Sequence, residues 1–278
     1  MQRRVMDNFE TIDYIISHHC SISRYGDGEL SLVFAAKYST EFHSGFQSFD
    51  PQLADRLAQI LNYSHRKPNH LVCLPACAFS YGTKHFRRYA RDFWNGYIVA
   101  NINHLLAATA PSKLYGDSTI TRFYLSHRDK SRCREFVSKM QQIWQGRDIV
   151  FVEGRMTHLG YGNDLFACAR SIRRILCPAA NAFTQYDTIL QTTIANTTPD
   201  TLIILALGMT ATVLAYDLAG YNRQALDLGH IDIEYEWMLM GAATKVPIPG
   251  KFTNEAKGGH ISTDEVPEDF QRQIITEI

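Results

Sequence analysis

The chain of 278 residues carries 28 Lys+Arg against 28 Asp+Glu, a formal net charge of zero, and its densest basic tracts are doublets such as Arg87-Arg88 and Arg173-Arg174. That balance excludes bulk electrostatic binding of nucleic acid or an anionic membrane, and 45% hydrophobic with 12% aromatic residues excludes a disordered chain. At about 150 residues per domain the length allows two domains, but no repeat or low-complexity linker interrupts it, so residues 1–278 are expected to form one.

In chain order, Met1 to Cys20 has no uninterrupted apolar stretch of about 7 to 15 residues, so no secretory signal is expected. Ser23-Arg24-Tyr25-Gly26-Asp27-Gly28-Glu29 follows. If this segment is extended, Asp27 and Glu29 project from one face, and two hard oxygen ligands suit Mg²⁺ or Mn²⁺. Arg24 could add a bidentate phosphate contact. The same pair also fits a solvated turn. Asp50 as N-cap and Pro51 in the first turn open a helix over Pro51 to Asn62, with Leu53, Leu57, Ile60 and Leu61 on one face. Leu71 to Leu74 then reads as a short buried strand ending at Pro75. Cys73 and Cys77, in Cys-Leu-Pro-Ala-Cys, suit buried thiols better than a metal site. Gly116 to Tyr124 sets Arg122 beside aromatics, which fits a phosphate pocket or an ordinary strand edge.

The second half alternates. Asp148 to Val152 reads as a strand, Asn163 to Arg173 as a helix, Arg174 to Cys177 as a strand and Tyr186 to Ala195 as a helix. Leu202 to Leu207 is the strongest strand; Gly208 turns it into a helix over Thr210 to Leu218, and Gln224 to Leu228 is one more strand. The pattern predicts an α/β fold, a mostly parallel sheet with helices on both faces, whose ligands bind at the carboxyl ends of the strands. The nearly apolar run Thr201 to Tyr216 is too short for a spanning helix of roughly 18 residues, and a cytoplasmic location is the expectation.

Three loops then stand out. Glu153-Gly154-Arg155 and Leu159-Gly160-Tyr161-Gly162-Asn163-Asp164 precede the expected helix, where Gly154, Gly160, Gly162, Asn163 and Asp164 could cradle a phosphate or simply make a tight turn. Asp227 to Trp237 alternates Asp232, Glu234 and Glu236 with apolar residues, which fits a general base or an ion-pair network with arginines such as Arg173 and Arg174. His230 there fits a packing role. Lys251 to Glu255, between Pro249 and Gly258-Gly259, fits a lid or a tail loop.

Taken together, the ordered segments Ser-Arg-Tyr-Gly-Asp-Gly-Glu, Leu-Gly-Tyr-Gly-Asn-Asp-Leu-Phe, Arg-Arg-Ile-Leu-Cys-Pro-Ala, Ala-Leu-Gly-Met-Thr-Ala-Thr and Asp-Leu-Gly-His-Ile-Asp-Ile-Glu-Tyr-Glu-Trp resemble the bacterial GT-D type glycosyltransferases from about Arg24 to Glu255. The resemblance implies a Rossmann-like fold, a UDP-sugar donor and a Mn²⁺ or Mg²⁺ at the Asp-x-Glu motif, here Asp27 and Glu29. It also implies transfer of a hexose of glucose or galactose type to a glycan or glycosylated protein acceptor in surface glycoprotein or capsular polysaccharide synthesis. The Lys-Phe-Thr-Asn-Glu tail makes Lys251 and Glu255 candidate active-site residues, and, if the reaction inverts rather than retains, Glu255 or Asp232 would act as base. In that family an arginine commonly precedes Leu-Gly-x-Gly, where this chain has His158. A nucleotide-sugar phosphohydrolase or nucleotidyltransferase, and a non-enzymatic sugar-nucleotide binding module, are the competing readings. A homodimer is the base-rate expectation for assembly.

Overall fold

The structure, a computed structural model, describes residues 3–62, 67–253, 255–259 and 267–278. Nine strands form one sheet: β1 (Arg4–Val5), β2 (Ser21–Arg24), β3 (His70–Leu74), β4 (Leu114–Asp117), β5 (Asp148–Gly154), β6 (Ser171–Cys177), β7 (Leu202–Ala206), β8 (Gln224–Asp227) and β9 (Ile274–Glu277). Their order is β1-β4-β3-β2-β8-β7-β5-β6-β9, and every strand pairing is parallel. The α/β, Rossmann-like expectation therefore holds, with a sheet that is parallel throughout.

The helices are α1 (Asn8–His18), α2 (Asp27–Tyr38), α3 (Pro51–Leu61), α4 (Ala76–Phe79), α5 (Arg88–Ala108), α6 (Cys133–Trp144), α7 (Tyr186–Ala195), α8 (Met209–Gly220), α9 (Ile231–Leu239) and α10 (Glu268–Gln271). Strand side chains alternate between two cores, as period two requires. Val72, Leu74, Val150, Val152, Ile203 and Leu205 pack with α2, α3, α7 and α8 on one face. Leu71, Cys73, Ile149, Phe151, Leu202 and Ile204 pack with α1, α6 and α9 on the other. Burial on both faces explains why these strands are continuous apolar runs. The α3 start is as expected, since Asp50 accepts the Leu53 N–H and Pro51 fills the first turn.

Two local expectations fail. Asn163 to Arg173 is not helical: it is a chain of turns leading into β6, which begins already at Ser171. The segment's carbonyls are taken from outside, that of Leu165 by the Trp144 indole and that of Cys168 by the Gly146 N–H, and a helix would need them internally. Asp27 and Glu29 are not in an extended segment either; they are the first turn of α2.

Connections leave neighbouring strands β5 and β7 in opposite directions, toward β6 and toward β8 respectively. Such a divergence opens a crevice at the carboxyl edge of a parallel sheet. All six cysteines are free thiols, five of them buried, Cys73 and Cys77 among these. Among the described residues no helix is long and apolar enough to cross a membrane.

Candidate active site

A cleft of about 430 Å³ lies over the carboxyl ends of β2, β8, β7 and β5. Seven of the residues singled out in the sequence line it: Arg24, Gly26, Asp27, Glu29, Arg122, Gly154 and Glu255. Gly160, Gly162, Asn163, Asp164, Asp232 and Lys251 lie outside it, and Asn254 lies outside the described residues.

The floor is the meeting of β2 and β8. Arg24 ends β2, and all five of its guanidinium donors are spent on the protein: Asp227 O and Oδ1, Gly229 O, Ser118 O and Thr121 Oγ1, at 2.6 to 3.2 Å. Its charge faces the cleft, but in this arrangement no N–H remains for a phosphate oxygen. Glu29, at the third position of α2, accepts the Gly26 N–H at 2.8 Å. Burial, reinforced by Asp227, pushes its carboxyl up to about 7 against the opposing pull of local N–H groups and Arg24. Asp27 is exposed, and its side chain has no hydrogen-bond or ion-pair partner among the described residues. A free carboxylate beside a second whose ionised form is costly is a donor set that accepts a hard divalent cation. Successive helix positions two apart diverge, however, so the pair does not share a face as an extended segment would allow.

Sequence reasoning placed the glycine loop and helix N-terminus at residues 160–164, and the structure places that device elsewhere. After β7, Gly208 takes φ +53 and caps α8 without a side chain, so the first N–H groups of a 12-residue helix open at the cleft. A Cβ at Gly208 would lie 2.6 Å from the Phe46 ring, so glycine is required by both conformation and space. Phe46 belongs to a loop that forms the facing wall, fixed to the exit of β6 by Asn181, whose N–H donates to Phe46 O and whose side chain accepts the Ser48 N–H. The signal at Gly208 was a single glycine between the strongest strand and a helix. By contrast, Gly160 and Gly162 serve turns: at Gly160, φ is +67 and the Phe166 ring fills the place of a Cβ. Asn163 donates to Asp232 and Glu236, and Asp164 accepts the Tyr235 hydroxyl.

The rim opposite carries a cluster of cations around one carboxylate. Glu255 pairs with Arg122, with His230 Nε2 at 3.3 Å and with Lys245 Nζ at 2.5 Å. Burial opposes its ionisation, but Arg122, His230 and Lys245 outweigh that and hold its carboxyl well below the usual range. His230, expected only to pack, lines the cleft in a left-handed conformation at the start of α9.

Asp232 and Lys251 form a different unit. Lys251 Nζ lies 2.7 Å from Asp232 and 3.0 Å from Glu236, and Lys251 and Asp232 are 4% and 1% exposed. The acidic stretch thus finds its cation in Lys251, whereas Arg174 is buried against Glu153 and Arg173 reaches Asn196 O. Sealed from the cleft, Asp232 and Lys251 cannot touch a substrate there. His158 is also buried outside the cleft, its Nδ1 2.9 Å from Gly250 O and its ring against Phe270. Among the described residues no group of three or more His, Cys, Asp or Glu side chains is arranged to hold a metal ion, so a cation here would rest on the α2 carboxylates and on ligand oxygens.

A profile for the glycosyltransferase GT-D fold matches residues 22–256. The chain is 35% identical over 255 residues to the probable glycosyl transferase Gly of Streptococcus gordonii, covering 91% of this chain and 36% of that protein. It is 38% identical over 246 residues to glycosyltransferase GlyD of Streptococcus pneumoniae, covering 88% and 29%. The chain thus spans about a third of the length of these curated relatives. A solved structure of a new glycosyltransferase from Streptococcus sanguinis superposes over 100% of both chains with a TM-score of 0.90 at 33% identity.

Proposed function

The chain belongs to the GT-D glycosyltransferase family, and on that premise we propose that it moves a hexose of glucose or galactose type from a UDP-sugar to a hydroxyl of a glycan or glycoprotein acceptor. The observation that carries the reading is the convergence of a partner-free Asp27 at the start of α2 and the open N-terminus of α8 in one cleft. A helix N-terminus favours a diphosphate. The carboxylates of α2 repel it, and they are reconciled with it by a Mn²⁺ or Mg²⁺ on Asp27 with Glu29. Such a cation would supply Lewis-acid neutralisation of the leaving diphosphate.

The chain's own groups divide the remaining work. Arg24 adds fixed positive charge beneath the site, and the N–H groups of α8 hold developing negative charge as the bond to the anomeric carbon breaks. Of the two candidate bases only Glu255 lines the cleft. Its cations keep it ionised and make it a weak proton acceptor, so it takes the acceptor's proton only once the bound donor draws Arg122 or Lys245 away from it.

The test is product identity. UDP-glucose, UDP-galactose and their N-acetyl forms are incubated with Mn²⁺ and a glycoside acceptor, and the nucleotide and sugar products are identified. UDP supports transfer, whereas UMP with sugar 1-phosphate would mark a phosphohydrolase and overturn it. Asp27→Ala is expected to cost at least about 100-fold in UDP release, with a melting curve unchanged from the parent. Unaltered metal-dependent UDP binding in that variant would remove Asp27 from the cation site.

A further inference from the structure

The chain has three tryptophans, and they are not equivalent. Trp144 and Trp237 are buried, and each spends its indole N–H on a backbone carbonyl, that of Leu165 at 3.0 Å and that of Val246 at 2.9 Å. Trp94, on α5, is half-buried. One side packs against Cys77, Phe86 and Ala90 while another lines the cleft, and its N–H has no protein acceptor among the described residues. An indole with an apolar face and an unspent donor, at the wall of a cleft that mixes apolar surface with Asp27, Arg122 and Glu255, is fitted to a ligand that is apolar on one face and hydroxylated at its edge.

Trp94 is also part of a row. Phe93 and Tyr97 lie with ring centroids 5.4 and 5.7 Å from it, both edge-on, and 6.2 Å from each other with planes inclined by 24°. The Tyr97 hydroxyl lies 3.4 Å from the Asp27 carbonyl, so the row begins beside the start of α2. It continues outward: α5 buries only Ala90 and Leu105, Phe93 is 50% exposed and Val99 80%.

We propose that Trp94, with Phe93 and Tyr97, is the acceptor subsite, and that the acceptor is an oligosaccharide whose sugar rings lay their C–H faces on these rings while a hydroxyl takes the Trp94 N–H. This rests on the glycosyltransferase reading and assigns the acceptor to the α5 side of the cleft. A nucleobase also stacks on an indole, but a nucleoside ends after one base and one ribose and gains nothing from a row that runs out of the cleft. A glycan chain does.

Trp144 is buried away from the cleft, whereas Trp237, although buried, also lines it, so quenching is assigned to Trp94 by its loss in Trp94→Phe. The probes are the methyl β-glycosides of glucose, galactose and N-acetylglucosamine and their β-linked disaccharides, titrated in the presence of UDP and Mn²⁺. The expected result is saturable quenching by at least one of them, a disaccharide binding more tightly than its monosaccharide. By calorimetry, Trp94→Ala should weaken that glycoside about tenfold or more with UDP affinity changed less than twofold. Trp94→Phe, which keeps a ring and a fold, should retain most of the affinity, and Phe93→Ala should weaken the disaccharide alone by about threefold. The proposal is overturned if no probe quenches, if Trp94→Ala binds the glycoside as the parent does, or if UDP affinity falls with it. Failure of the glycosyltransferase reading shows separately, as a parent protein that releases no UDP from any donor.

Discussion

Two charged clusters stem from one short segment and have opposite characters. Lys251 turns inward and joins Asp232, Glu236 and Asn163 in a sealed network, while Glu255, four residues on, faces the cleft and gathers Arg122, His230 and Lys245. In the first, one cation serves two acids; in the second, one acid faces three nitrogen partners, Arg122, Lys245 and His230. Burial raises the Asp232 carboxyl even against Lys251, whereas the cations at Glu255 lower its carboxyl despite burial. The inner cluster fixes α9 against the 247–253 segment, and the outer one lines the cleft through Arg122, His230 and Glu255. Residue type and spacing alone do not distinguish them; depth does.

The largest expected effect breaks the inner cluster. Lys251→Met leaves two carboxylates without their cation and should cost about 3–5 kcal/mol of stability in urea unfolding, while turnover per folded molecule survives. A loss below about 1 kcal/mol would mean that the network is not structural. Glu255→Gln tests the opposite claim: UDP-sugar turnover should fall about 100-fold, while stability falls by about 2 kcal/mol, less than in Lys251→Met. Lys245→Met, removing one cation from the rim, should raise the KM for the donor about tenfold at low salt, and added salt should shrink the difference. A donor KM indifferent to both changes would disconnect the outer cluster from the ligand.

The smallest effect is in pH dependence. Glu255 binds its proton less readily folded than unfolded, so its contribution is present above its ordinary value of about 4.3 and is lost as the pH falls below it. Asp232 has the opposite sign, because its raised carboxyl takes up a proton first in the folded state, adding stability as the pH falls. Melting temperatures between pH 5 and 3 should therefore fall less steeply in Glu255→Gln than in the parent. An identical slope would show that the cations do not hold Glu255 ionised.

The parallel sheet was legible because strands buried on both faces become uninterrupted apolar runs, as at Leu202 to Ala206 and Asp148 to Gly154. The Asn163 to Arg173 segment misled because Leu165 and Phe166 have helix-like spacing from neighbouring apolar residues, yet its carbonyls and Asn163 are engaged by distant partners. Around the cleft, Arg24, Asp27, Glu29, Arg122 and Glu255 could be named from composition and resemblance. Their environment could not, since the five acceptors around Arg24 come from four residues in two distant stretches, 118–121 and 227–229. Trp94 was missed because α5 carries apolar residues on all sides, and no periodicity separates the buried face from the one at the cleft.

The central strand also sets an order of assembly. β2 has β3 on one side, but its other neighbour is β8, and Arg24 meets Asp227 across a separation of 203 residues. During synthesis β2 keeps an open edge until most of the chain has emerged, and pairings of such range slow folding and invite association with other chains. The floor of the cleft is therefore completed only once β8 has emerged, and a chain stopped short of it leaves the ribosome with the edges of β2, β7 and β6 unpaired and the cleft without its floor.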